Sequence, residues 1–360
     1  MRSFALLSLL FLPILPHAFA ANQITIAQLE QLLHENKDKS DAKVAHQLAD
    51  LELNQRASTA RLTRWESTFP GPRTREALTL LADASSFLDL PPDDIPSQPP
   101  PDPQSDHDIL LRTIDYAVKT IPVLPNFMAT RSTIHFEDTP LRQHFDEDTV
   151  YQPLHATGTT SVPVTYRDGH EVAEAPAADA RKHDADIGLT TSGEFGPVLS
   201  VVLGDAFRSH MEWSHWEQGA SGRIAVYRYY VPQPQSHYLV EFHPGADLVR
   251  LYPAYRGEIA IDPATGNVLR ITAIADLAPP WQHILAAILV EFAPVAIGDR
   301  TYICPVKGVA LSKMPLFESD SPTTAPLKTR LNDVAFTQYH RFRADIRIVP
   351  VGQENSDTPQ

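Results

Sequence analysis

Residues 256–271 read RGEIAIDPATGNVLRI. Ile259 and Ile261 recur with period two, and Leu269, Ile271 and Ala273 do so after the turn. Between them, Asp262-Pro263-Ala264-Thr265-Gly266 supplies turn chemistry: a short carboxylate, a fixed φ and a glycine. Two alternating runs across such a turn predict an antiparallel hairpin.

The same period extends outward. Residues 289–297, Gly298-Asp299 and residues 301–312 predict another hairpin, and Val334, Phe336, Gln338, His340 and Phe342 alternate in a last long strand. Upstream, residues 221–231 carry Ile224 and Val226, and residues 236–243 place Tyr238, Val240 and Phe242 on one face. Residues 130–137 predict a strand. Val162–Tyr166 and Glu171-Val172 flank an Asp168-Gly169 turn. Residues 174–186 read as a loop, and one helix is inserted from Gly196-Pro197, with Val198, Val201, Val202 and Ala206 as its apolar face. The expectation for residues 129–349 is a curved antiparallel β domain, a meander or half-barrel, whose apolar face is covered by closure or by helices. The tail, 350–360, is polar and expected to be disordered.

The period before residue 129 is helical, so the fold class is α+β. Residues 21–90 form a helical region. Thr25 and Gln28 match a capping box ahead of Ile26, Leu29, Leu32 and Leu33. Val44, Leu48 and Leu51 mark a second helix, and Leu62, Trp65 and Phe69 a third. After Gly71-Pro72, Leu78, Leu81 and Leu88 mark a fourth. Residues 91–106, PPDDIPSQPPPDPQSD, hold seven prolines, enough to forbid a continuous helix and to predict a solvated linker. A helix is expected within 107–128, with Leu111, Ile114, Ala117, Val118 and Ile121 inward and Pro122 and Pro125 ending it.

The first twenty residues predict export. Arg2 precedes an apolar run from Phe4 to Leu15, and Ala18-Phe19-Ala20 has the form of a cleavage site, so residues 1–20 read as a signal peptide. The run is shorter than the roughly 20 residues that span a bilayer. The chain is therefore expected in the periplasm or outside the cell, with no membrane span after signal removal. Its formal charge is −14. Such an acidic chain repels nucleic acid and anionic headgroups, so no nucleic-acid partner is expected. The single cysteine, Cys304, lies in an apolar stretch and reads as a buried, inert thiol.

Chemistry concentrates in HMEWSHWE, residues 210–217. Strict alternation would put His210, Glu212, Ser214 and Trp216 on one face, and Met211, Trp213, His215 and Glu217 on the other. Each face then offers one histidine and one glutamate, whereas a zinc site needs three or four converging donors. His237 or His243 would have to complete it. The spacing H-x-E-x-x-H is not the H-E-x-x-H of helical metalloproteases. His210, Glu212, His215 and Glu217 are thus the metal candidates, against an ordinary strand whose tryptophans bury area at a sheet–helix interface. There is no G-x-S-x-G elbow and no phosphate-binding glycine loop, so no cofactor and no catalytic residue is assigned. Glu258 and Asp262 read as turn carboxylates.

Several stretches carry resemblances. YRGEIAIDPATGNVLRITAIAD, ILVEFAPVAIGDRTYICPVKGVAL, MEWSHWEQG and LNDVAFTQYHRFRADIRI resemble a family of uncharacterised secreted acidobacterial proteins. The hairpin with its flanking strands is similar to the LolA-like and RseB-like carriers of the bacterial periplasm. That likeness implies a curved sheet closed by helices around an apolar cavity that handles acyl chains or lipoproteins. The resulting expectation is a non-enzymatic exported protein whose β domain binds an apolar, lipid-like molecule or a cell-envelope partner. The alternatives are a metal-assisted hydrolase built on the 210–217 strand and an interaction module acting through the N-terminal helices.

Overall fold

The structure is a computed structural model describing residues 22–119, 124–139, 143–144, 147–148, 151–168, 170–172, 197–219, 222–242, 248–315 and 327–341. The expected signal peptide, the 174–186 loop, His243 and the 350–360 tail lie outside the described residues.

The chain begins with strand β1 (Asn22–Ile24), helices α1 (Ile26–Glu35) and α2 (Asp41–Leu48), strand β2 (Leu51–Leu53), and helices α3 (Thr59–Thr68) and α4 (Pro72–Ala84). The capping box starts α1: Gln28 N–H donates to Thr25 Oγ1 at 3.2 Å, and Thr25 N–H donates to Gln28 Oε1 at 2.8 Å. Ile26, Leu29 and Leu33 of α1 meet Val44, Leu48, Trp65, Leu78 and Leu81 in one apolar cluster. Leu51 does not extend α2 as its spacing suggested. It pairs in parallel with Asn22, so β2 closes a small sheet with β1.

The proline-rich segment is largely exposed, but it is fastened to the sheet rather than free. The Pro99 carbonyl accepts from Trp216 Nε1 at 2.8 Å, and Gln98 Oε1 accepts from Arg223 at 2.7 Å. Its last proline starts α5 (Pro103–Lys119), where Asp102 accepts from the backbone N–H groups of Gln104 and Ser105 at 3.1 and 3.0 Å. Proline is well suited to a first helical turn, whose N–H has no intrahelical partner. The helix expected within 107–128 therefore starts earlier, and it has ended before residue 124.

The buried face of α5 also differs from expectation. Ile109, Thr113 and Tyr116 face inward, while Leu111, Ile114 and Val118 are 49, 40 and 67 % exposed. The helix carries two apolar stripes, and polar contacts choose between them: Tyr227 Oη donates to Asp106 at 2.6 Å, and Arg112 Nε donates to the Pro263 carbonyl at 3.2 Å.

The β region comprises β3 (Phe127–Thr139), β4 (Gln143–His144), β5 (Glu147–Asp148), β6 (Gln152–Arg167) and β7 (His170–Val172), then helix α6 (Pro197–Arg208). There follow β8 (His210–Gly219), β9 (Gly222–Val231), β10 (Val240–Phe242), β11 (Val249–Leu251), β12 (Ala254–Ile261) and β13 (Val268–Asp276). The last strands are β14 (Leu285–Ile297), β15 (Arg300–Pro315) and β16 (Leu327–Arg341). Ten strands form one open antiparallel sheet in the order β7-β6-β3-β16-β15-β14-β13-β12-β9-β8. The meander is direct from β12 to β16. β10 leaves it to pair with β11, so β9 lies against β12.

Two shifts of register redirect side chains. Ala260 pairs with Arg270 but Ile261 with Val268, so Leu269 is an extra residue and Val268, in its place, joins Ile271 and Ala273 in the core. In β16 the expected alternation breaks after Phe336, where Gln338 takes φ +54° and the pairing slips between Thr337 and His340.

The sheet is covered on both faces. On one, Leu80 and Ala84 of α4 pack on Phe136, Leu289, Val309, Leu311 and Leu331. On the other, α5 and α6 bury Tyr227, Tyr229, Ile259, Ile271 and Val290. Alternation explains the division: Leu289 and Val290 point to opposite faces. Cys304 is buried, and burial pushes its thiol up to about 12, so it is inert. Among the described residues no helix is long and apolar enough to cross a membrane.

The β12–β13 turn also abuts α5. Gly266 adopts φ +77°, and a Cβ there would lie 2.4 Å from the Arg112 carbonyl carbon. Gly266→Ala should lower stability by roughly 1–3 kcal/mol through backbone strain. Urea denaturation measures this, and an unchanged midpoint would show that α5 is not held against the turn.

Candidate functional site

At one end of the sheet, β13, β12, β9 and the edge strand β8 place a row of charged side chains on the face toward the N-terminal helices. The phase of β8 decides which. Trp213 pairs with Tyr227, but His215 pairs with Val226, so Ser214 is the extra residue of a bulge. The expected faces are therefore corrected. Trp213 and Trp216 share the α5-side face, in edge contact with centroids 4.7 Å apart. His210, Glu212, His215 and Glu217 share the other, so both histidines lie on one side of the strand.

Only half of that set becomes a site. His210 and Glu212 are exposed, 3.4 Å apart. His215 and Glu217 are drawn into a buried network with Glu258 of β12, Arg270 of β13 and Arg56, from the loop after β2. Arg270 grips Glu217 through its two terminal guanidinium nitrogens, at 2.8 and 2.9 Å. Arg56 bonds Glu217 as well and reaches Glu258 at 3.2 Å. Arg228 Nε lies 3.3 Å from the other Glu258 oxygen. His215 Nε2 is 3.1 Å from Glu217, and Ser214 Oγ is 2.9 Å from His215 Nδ1. Gly257 lets this arrangement close, because a Cβ there would lie 1.9 Å from the Thr272 carbonyl oxygen. Next to it, Glu258 N–H donates to Thr272 Oγ1 at 2.8 Å.

His215, Glu217 and Glu258 each offer a ligand atom, all within 4.8 Å of one another. Of the two residues considered as a third ligand, His243 lies outside the described residues and His237 is elsewhere, its Nδ1 bonding the buried Asp205 at 2.7 Å. Glu258, read from sequence as a turn carboxylate, takes its place in mid-strand. The donor count would suit a cation, but the charge balance does not. Both Glu217 oxygens are engaged by Arg270 and one also by Arg56, so a dication would have to displace guanidinium groups already matched to these carboxylates. The cluster is an ion-pair lock. It joins the N-terminal region, through Arg56, to the β domain.

Burial alone would raise the Glu217 carboxyl. Arg270, the His215 hydrogen bond and Arg56 instead hold it well below the usual carboxylate range. The second fastening behaves oppositely. Asp83 of α4 lies 2.6 Å from Lys307 Nζ, which is also 3.7 Å from Asp333. Burial raises Asp83 to about 7 despite Lys307, helped by Asp333 and Glu291.

Beside the lock is a cleft of about 600 Å³ between the start of α3, the Asp93–Pro96 stretch and the sheet. Leu90, Ile224, Ala260 and Leu269 give it an apolar floor, and Arg61, Asp94, Arg270 and Glu291 line it with charge. A second cavity of similar volume, near Tyr230 and Trp281, is lined by a single charged residue, Asp276. Arg270 carried a sequence signal, a cation inside an otherwise apolar strand, which implies a buried partner. Arg56 had none.

Glu217→Ala would leave the buried Arg270 and Arg56 with only Glu258 between them. The expected cost is about 3–5 kcal/mol in chemical denaturation. A cost below about 1 kcal/mol, the range of surface pairs, would mean the network is solvated.

Asp83 gives a distinct pH signature. Its carboxyl titrates near 3.8 unfolded and near 7 folded. Across that window the folded chain keeps a proton that the unfolded chain has lost, so this contribution to stability is present below the window and fades as pH rises through it. Thermal melts of Asp83→Asn should lack that decline, and a parallel pH profile for both proteins would exclude it.

Comparison with protein-family models, with curated proteins and with solved structures finds no match for this chain.

Proposed function

We propose that this is an exported, non-enzymatic binding protein that holds a small amphipathic molecule in the cleft between α3 and the sheet. The observation that carries the reading is the cleft itself. Its volume of about 600 Å³ falls within the range of small-molecule sites, ~300–1,000 Å³, which join apolar lining to a few convergent polar groups. Leu90, Ile224, Ala260 and Leu269 suit an alkyl portion, and the charged wall suits a polar head.

The location differs from the one the carrier likeness implied. There the ligand would lie between the sheet and its covering helices. Here that space is filled by Leu199, Val202, Leu203, Tyr227, Tyr229 and their neighbours from α6 and the sheet. The opposite face, where the N-terminal helices meet the sheet edge, offers the room. The signal-like N-terminus supports export, and the acidic charge of −14 supports a partner other than nucleic acid.

Native mass spectrometry of the protein purified without detergent tests this. A heterogeneous adduct, extractable into organic solvent and absent from folded Ile224→Trp, is the expected result. An adduct that persists in Ile224→Trp would place the ligand elsewhere, and a bare chain that takes up no added amphiphile would defeat the reading.

A further inference from the structure

Each cation of the cleft meets a carboxylate, while Arg270 Nε is buried without a hydrogen-bond partner among the described residues. Arg61 lies 2.6 Å from Asp94 and 2.7 Å from Glu30. Arg64 pairs with the same Glu30, and Arg270 with Glu217. An anionic head group would have to compete with a carboxylate for each of them.

Glu291 is different. It lines the cleft and makes no hydrogen bond or close ion pair among the described residues. Its cross-strand neighbours are Arg270 on β13 and Lys307 on β15. Both are cations that feel its charge, but their hydrogen bonds go to Glu217 and Asp83. Asp93, the other unpaired acid of the lining, lies exposed at the rim. The acids of the lining, Asp93, Asp94, Glu217 and Glu291, outnumber Arg61, Arg64 and Arg270 by one. Glu217 is also held by Arg56 from outside the lining, so Glu291 and Asp93 are the acids left without a guanidinium partner among the described residues, and an added cation meets one of them. The acidic chain as a whole also steers cations toward it.

We propose that the ligand of this cleft carries a cationic head group, an ammonium or amine, seated against the Glu291 carboxylate with its alkyl part on Leu269 and Ile224. The inference rests on the cleft being the binding site. Desolvating a half-buried carboxylate beside an apolar floor favours a weakly hydrated cation, which can match the charge without the full hydration of a metal ion.

Calorimetric titration of the full chain with dodecyltrimethylammonium, dodecanoate and dodecanol, each below its micellar concentration, tests both levels separately. Wild type should bind the ammonium about tenfold more tightly than the alcohol, as expected for adding one ion pair at a half-buried site. In Glu291→Gln that preference should vanish while dodecanol binding persists, which also shows the variant is folded. Tighter binding of dodecanoate, or an ammonium preference that survives in Glu291→Gln, overturns the head-group assignment alone. Failure of all three probes to bind overturns the cleft as well.

Discussion

The contact of Arg56 with Glu217 and Glu258, the carboxylates that Arg270 also holds, is the constraint on which the rest of the arrangement depends. Two carboxylates and two guanidinium groups are buried together, and each is tolerable only because the others are present. Arg56 comes from a loop of the N-terminal region. Glu217 comes from β8, and Glu258 and Arg270 from the β12–β13 hairpin farther along the chain. Satisfying their charges requires the loop to sit on the sheet edge. That seats α3, and the space left beside it is the cleft. An apolar contact at the same place would tolerate sliding, but Arg56, bonding two carboxylates through its two terminal nitrogens, specifies position and angle.

Seen this way, the two faces of the sheet have different roles. The face under α5 and α6 is a packed aromatic and aliphatic core, closed by Tyr227, Tyr229 and Tyr255, and holds the meander together. The face under the N-terminal helices mixes apolar contacts around α4 with buried ion pairs around Arg56 and Lys307. Buried charge is a poor source of net stability but a good source of registration. The binding reading belongs on that second face because imperfect filling there leaves room. The Asp83–Lys307 pair, bordered by Glu291, also connects the docking of α4 to the electrostatics of the cleft.

Strand alternation was legible wherever a single strand faced a uniform environment. The hairpin of β12 and β13, the Asp168 turn and the β14–β15 pair follow from it directly. It failed at Ser214, Leu269 and Gln338, each of which marks a shift in register. A bulge adds a residue without changing composition, so period-two reasoning carries the wrong face past it. At Ser214 that error separated two histidines which in fact share a side. The helix α5 failed for another reason. It has apolar residues on two stripes, and hydrophobic periodicity is indifferent between them until Asp106 and Arg112 find partners more than a hundred residues away.

Composition and local pattern therefore determined the α+β class, the helical start, the antiparallel meander and the identity of the residue-rich strand at 210–217. These depend on dihedral preference, turn chemistry and periodicity, which act over a few residues. Only the tertiary structure decided that His215 and Glu217 belong with Arg56, Glu258 and Arg270 while His210 and Glu212 stay in solvent. It also decided that the proline-rich segment is fastened and that one cleft opens on the charged face. Those outcomes depend on long-range pairing of charges, and the strength of a charge pair is set by burial, which no stretch of sequence contains by itself.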